Sequence, residues 1–197
     1  MLHSLYFITR KPAISEEEVH RCWREVHGPI ARQIPQLEHY KQSHRVPFAG
    51  ATSDYDGVAK VWLEDEAAMD ALRCSPEYLD RALANEPNFI NMNRAGWLVT
   101  QDRIILDGTQ ITSQAKTISR AKRKAGMSLK DFRTYWAEAH SPLACKLPGI
   151  QRYVQCLTVD TAYTYAEPRW DGVSQIWVEN LRNIQWARRR MPQRSLM

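Results

Sequence analysis

The chain has 197 residues, 44% of them apolar, with seven Trp and eight Tyr, enough for the cores of one large domain or two small ones. Its formal charge of +5 is not spread out: Arg182, Arg188, Arg189, Arg190 and Arg194 follow the last acid, Glu179, and account for all of it. The neutral body excludes a uniformly basic nucleic-acid face, no apolar run reaches membrane-span length, and Cys22, Cys74, Cys145 and Cys156 lack the spacing of a disulfide framework or a Cys-x-x-Cys motif.

Residues 2–9 (LHSLYFIT) are apolar, β-branched and aromatic, and read as a strand that ends at Arg10-Lys11-Pro12. The N-terminus has no long apolar core of a signal peptide, so a soluble cytoplasmic protein with reduced thiols is expected. Ser15-Glu-Glu-Glu18 matches a capping box, with the Ser hydroxyl accepting from an early helical N–H and Glu18 reaching back. Val19, Cys22, Trp23, Val26 and His27 follow at helical spacing, and Gly28-Pro29 is expected to end or kink the helix.

Residues 37–46 read as a second strand and 48–56 as a Gly-, Ser- and Asp-rich loop; 57–63 (GVAKVWL) form a third strand. Residues 65–83 read as helix, capped by Asp65 and interrupted or restarted at Pro76. A turn at 89–92 and a fourth strand at 97–105 complete a first unit, residues 1–107, joined by a linker at 108–114 to a second unit.

That second unit, 115–179, repeats the first. SEEEVHRCWREVHGPIARQIPQLEHY (15–40) aligns with SLKDFRTYWAEAHSPLACKLPGIQRY (128–153) at a constant offset of 113. Ser15, Trp23, Glu25, His27, Pro29, Pro35 and Tyr40 match Ser128, Trp136, Glu138, His140, Pro142, Pro148 and Tyr153. The match extends to Arg10-Lys11 with Arg123-Lys124, and to Gln42 with Gln155, and reads as an internal duplication. An Asp-Gly-Val-x-x-apolar-Trp pattern at Asp56 and Asp171 is offset by 115, so the second loop is two residues longer.

Each unit reads as β-α-β-β-α-β, the ferredoxin-like order, with both helices on one face of an antiparallel sheet. The expected fold is α+β: two tandem ferredoxin-like units whose sheets pack face to face within one chain. After Glu179 only a basic tail (180–197) remains, too short for a second helix and fourth strand. The second unit is therefore expected to be truncated, and its unpaired edge offers a route to a homodimer.

The motif Trp23-Arg-Glu-Val-His27-Gly-Pro29, with Trp136-Ala-Glu-Ala-His140-Ser-Pro142 and the downstream Pro and Tyr, resembles the EthD-type proteins of the dimeric α/β-barrel superfamily. The resemblance implies a barrel with a small-molecule pocket between each sheet and its helices. It also implies reactions such as those of cofactor-independent muconolactone isomerases, polyketide cyclases, pigment-pathway decarboxylases or dehydratases, and haem-degrading monooxygenases. Barrels of this kind usually take two chains; here the tandem supplies both halves.

Among candidate site residues, His27 combines a near-neutral titration with a position just before a proline, where it acts as a general acid/base or fixes the helix end. The resemblance points to the acid/base role, which a His at this place serves in the lactone-isomerising relatives. His140 is its second-unit counterpart. Trp23 and Trp136 share the helical face of each His and are core or a pocket wall for a flat ring. Tyr40 and Tyr153 are core residues or donors to a developing oxyanion. Arg10 and Arg123 are anion clamps or loop braces. Trp62, with Trp177, reads first as third-strand core and is carried as a substrate contact; Asp56 and Asp171 read as turn residues. His39 and His44 have no counterpart in the repeat (Arg152 and Leu157 stand there), and only His44 shares the face of Tyr40. His27, Tyr40 and His44 are therefore the preferred catalytic trio.

No metal-ligand spacing, phosphate loop or Gly-x-Ser-x-Gly occurs. The expected function is a lyase- or isomerase-type enzyme without cofactor or metal, acting on a small cyclic or aromatic carbonyl compound, with neither nucleic acid nor membrane as partner. The alternative is a barrel that binds haem or another hydrophobic ligand, or a haem monooxygenase with His27 as axial ligand.

Overall fold

The computed structural model describes residues 1–47, 53–108, 115–180 and 182–183. Most of the basic tail, the linker and the tip of the 48–56 loop therefore lie outside the described residues. The chain divides into two compact units, Met1–Val99 and Thr100–Met197, with the boundary inside a strand.

The first unit runs β1 (Leu2–Ile8), α1 (Glu16–Arg21), a wide π-type segment (Cys22–His27), α2 (Gly28–Ala31), β2 (His39–His44) and β3 (Gly57–Leu63). It continues with α3 (Glu66–Cys74), a second wide segment (Glu77–Leu83), a 3-10 turn (Glu86–Asn88) and the start of β4 (Gly96–Leu106). Its strands lie in the order β2-β3-β1-β4. Local chemistry sets the starts of the helices. Ser15 Oγ accepts from Glu18 N at 3.1 Å, and an Asp65 carboxylate oxygen accepts from Ala68 N at 2.9 Å. Ser75 turns extended and Pro76 opens the next segment. The capping box is only half made, because Glu18 turns instead to Arg21 and the Cys22 thiol.

Antiparallel pairing places Tyr6 opposite Ala59 and Tyr40 opposite Val61. One sheet face thereby carries Tyr6, Ile8, Ala59 and Tyr40 into a core with Val19 and Trp23 from the helix and Phe89 and Ile90 beyond the 3-10 turn. The other face carries Leu5, Phe7, Lys60 and Trp62, with His39 opposite Trp62. Trp23 is 1% exposed, and Gly57 exists to seat it: a Cβ there would lie 2.4 Å from its Cζ3 and 2.8 Å from the Ser43 carbonyl oxygen.

The second unit takes the rest of β4, then β5 (Lys116–Ala121), α4 (Leu129–Tyr135), a wide segment (Trp136–His140), α5 (Ser141–Ala144), β6 (Ile150–Thr158), α6 (Ala162–Tyr165) and β7 (Gly172–Val178). The order is β4-β6-β7-β5. Ser128 caps its helix through Asp131 N at 3.0 Å, and Gly172 seats Trp136 as Gly57 seats Trp23. The longer loop holds α6, whose Tyr163 hydroxyl donates to Asp171 at 2.8 Å. The strand hydrogen-bonded to the β6 edge is the C-terminal half of β4, from Thr100 opposite Thr158 to Leu106 opposite Tyr153. All four cysteines are free. Among the described residues no helix is long and apolar enough to cross a membrane.

Candidate active site in the first unit

Gly28-Pro29 does not end the helix. Pro29 has no N–H to offer, and the chain absorbs that by widening before it: the Gly28 N–H reaches back to the Trp23 carbonyl, and α2 continues the helix with Pro in its first turn. The Trp23 carbonyl also accepts from Gln42 Nε2 at 2.8 Å. The second unit repeats the device around the Trp136 carbonyl, which accepts from Ser141 N, Ser141 Oγ (2.8 Å) and Gln155 Nε2 (3.0 Å). Gln42 and Gln155 thus tie strand to helix, a role that their presence in both copies signalled but that their spacing did not define.

Alternate residues of β2 build a polar ladder from the same glutamine. Gln42 Nε2 donates to the Tyr40 hydroxyl at 3.1 Å, and Trp23 Nε1 donates to it at 2.9 Å. With two donors on its oxygen, Tyr40 keeps its own O–H free to donate, and burial pushes its pKa up, so it stays a phenol. Gln42 Oε1 accepts from His44 Nε2 at 2.9 Å, while His44 Nδ1 is buried without a partner. The His44 ring lies tilted on Trp23 with centroids 4.5 Å apart and edge-on to His20 at 4.9 Å. Burial first, then the charges of His20 and Arg24, push its pKa down to about 4, so His44 is neutral near pH 7.

His27 is 7% exposed, with its ring 5.5 Å from that of Phe89. Its Nδ1 lies 3.3 Å from Asn85 Oδ1, an acceptor, which assigns the proton to Nδ1 and leaves Nε2 as the basic nitrogen. Burial lowers its pKa, with the Asn85 bond opposing. The residue after Asn85 is Glu86, a buried carboxyl that accepts from the Tyr6 hydroxyl at 3.0 Å. Burial raises its pKa to about 7, against the pull of the Tyr6 bond, and its charge in turn raises Tyr40 and Tyr78. Nothing in the stretch ALANEPNFI marks Glu86 in advance: burial makes it unusual, and burial is a tertiary property.

The structure therefore joins Trp23, Tyr40 and His44 through Gln42, and sets His27 on the same helix but bonded to Asn85 rather than to Tyr40. In the second unit the Tyr153 hydroxyl and His140 Nδ1 are 3.5 Å apart, and burial lowers the pKa of His140. Trp136 is buried against Phe132, with ring centroids 5.3 Å apart. Arg10 and Arg123 close onto the buried carboxylates of Asp56 and Asp171, so these Asp residues are loop braces as well as turn residues. Trp62 stands on the opposite sheet face from Tyr40, edge-on to His3 and His39.

Antiparallel α+β units of ferredoxin-like order, each carrying a Trp-x-x-x-His helix against a Tyr-x-Gln strand, define the class. The family model described as EthD domain matches residues 11–93 and 124–191, most of the chain, and the chain belongs to that family. No curated protein matches it. Among solved structures, an anthrone oxidase-like protein is similar at 12% identity and TM-score 0.61, covering 98% of this chain and 78% of that one. A protein described as a candidate monooxygenase, from Lactobacillus acidophilus, is similar at 12% identity and TM-score 0.50, covering 97% and 82%. An EthD family protein from Bacillus halodurans is similar at 15% identity and TM-score 0.44, covering 51% and 98%.

Proposed function

We propose that the first unit is a proton-transfer enzyme that needs no cofactor and acts on a small cyclic or aromatic carbonyl compound, by isomerisation, dehydration, cyclisation or decarboxylation. The observation that carries this reading is the His27–Asn85 bond: it fixes a buried, neutral imidazole with Nε2 as base. His27 Nε2 takes a proton from the carbon α to the carbonyl. The free Tyr40 O–H donates to the enolate oxygen that forms, as an oxyanion donor does. His44, neutral, holds Gln42 and through it the Tyr40 hydroxyl. His140 with Tyr153 is a weaker second candidate, because the second unit has no described counterpart of Asn85. The label of one fold neighbour, anthrone oxidase-like, is in keeping with an aromatic carbonyl substrate and adds nothing at the level of residues.

Haem ligation by His27 finds less support. Haem ligation needs an open face wide enough for a macrocycle at Nε2, whereas proton abstraction needs contact with only one C–H of a small ring. An imidazole 7% exposed and packed on Phe89 suits the smaller ligand.

A thermal-shift screen of lactones, phenols and polyketide-like ring compounds, with haem as a further arm, identifies a ligand for wild type, His27→Ala and His140→Ala. Turnover of that ligand is expected to fall roughly 10²- to 10⁴-fold in His27→Ala. Turnover at the wild-type rate in that variant removes the base and ends the reading.

A further inference from the structure

Glu86 is left unused by this chemistry, and its surroundings do not account for it. A buried carboxyl is costly unless a cation or several donors meet it. Glu86 is 7% exposed, and among the described residues only the Tyr6 hydroxyl donates to it; no Lys, Arg or His forms an ion pair with it. It opens the 3-10 turn that follows Asn85, the residue holding His27. The groups around it are phenols, Tyr6 from β1, Tyr40 from β2 and Tyr78 from the segment before the turn, and its chain neighbour Asn85 holds His27.

We propose that Glu86 is the second proton-transfer group of the first-unit site, the acid that returns a proton to the substrate after His27 has taken one. This rests on the proton-transfer reading above and narrows it. His27 Nε2 removes the proton α to the carbonyl, and the C–H electron pair becomes the enolate. The Glu86 carboxyl then gives its proton either to the γ carbon of an extended dienolate, shifting the double bond, or to a β-hydroxyl that leaves as water. Imidazolium and carboxylate remain, and transfer of one proton between them through solvent restores both. With a carboxyl pKa of about 7, acid and base forms are both populated at neutral pH. A buried site with no cation beside its carboxyl among the described residues does not compensate a charged substrate, which sets decarboxylation aside and selects an uncharged ring carbonyl bearing a β,γ double bond or a β-hydroxyl.

The test uses the full chain and α-angelica lactone in D2O, whose isomerisation moves a proton from the α to the γ carbon. Wild type is expected both to exchange the α proton and to isomerise the lactone. Glu86→Gln, which keeps an acceptor for Tyr6, is expected to exchange at close to the wild-type rate but to isomerise about 10²-fold more slowly. His27→Ala is expected to lose both. Tyr6→Phe removes the bond that holds the Glu86 pKa down, so its alkaline limb of activity moves to higher pH. Wild-type isomerisation by Glu86→Gln overturns the role of Glu86 and leaves the His27 reading standing; wild-type exchange by His27→Ala overturns the reading beneath it. A wild type that neither exchanges nor isomerises the lactone or any ring carbonyl that it binds overturns both. Infrared titration of the carboxyl, wild type minus Glu86→Gln, is independent of substrate: titration near the ordinary Glu value of about 4.3 overturns the proposal.

Discussion

Two kinds of buried titratable group in the first unit respond to pH in opposite senses. The folded-state pKa of Glu86 is raised to about 7, so its contribution to stability is complete below the unfolded value of about 4.3 and is lost as pH rises toward 7. His44, depressed to about 4, and His27, also lowered, are stabilising when neutral; that contribution is lost as pH falls below about 6.5. Glu86→Gln is therefore expected to gain on wild type in urea denaturation at pH 8, by up to roughly 3 kcal/mol, and to lose that advantage at pH 4. An equal difference at both pH values would show that Glu86 is not buried as an acid. Gly57→Ala and Gly172→Ala each press a methyl into a Trp ring and a strand carbonyl, at a cost of about 1–3 kcal/mol that thermal melts of the two variants measure. His27 and Tyr40 stood out in the string because they recur in the repeat, and His44 because it shares the strand face of Tyr40 without a counterpart there. Glu86 and Asn85 were not, because a short polar turn looks the same buried or exposed.

Helices and strands show where local chemistry governs and where neighbours override it. Ser15, Ser128 and Asp65 each place a side-chain oxygen on an orphan helical N–H, so these starts were readable. Ser15→Ala and Ser128→Ala are each expected to cost about 1 kcal/mol in denaturant titration, and no change in either would mean the cap is idle. Gly28-Pro29 was expected to end or kink the helix; the helix continues past it by widening, and a glutamine from the neighbouring strand shares the displaced Trp23 carbonyl. Gln42→Leu should cost about 1–3 kcal/mol and release Tyr40 and His44 together. Gln155→Leu should cost at least as much, since that amide is wholly buried and bonds Trp136, Ser141 and Tyr153. Comparing melts of the two variants separates the sites.

For the whole chain, strand pairing leaves specific edges. Among the described residues β2 pairs only with β3, and β5 only with β7. An unpaired strand edge is a template for another chain, so self-association through β2 or β5 is expected. Sedimentation across a concentration series checks this: a mass above that of one chain that grows with concentration supports it, and a single-chain mass throughout rejects it. The strand at 97–105 was visible in its own sequence. That β4 serves the β6 edge was not, because its sequence alternates identically whichever strand it meets.

The sequence by itself determined the element order of the first unit, the helix caps, the repeated Trp, His and Tyr positions and the face shared by Tyr40 and His44. Those follow from dihedral preference, hydrogen bonding within a few residues and the two-residue strand period, all local. Only the tertiary structure decided that Trp62 lies across the sheet from the trio, that Arg10 is spent on Asp56, that His27 answers to Asn85, and that Glu86 is a buried carboxyl near neutrality. Charge state, burial and partner choice depend on groups tens of residues apart, and no local pattern in the chain encodes that distance.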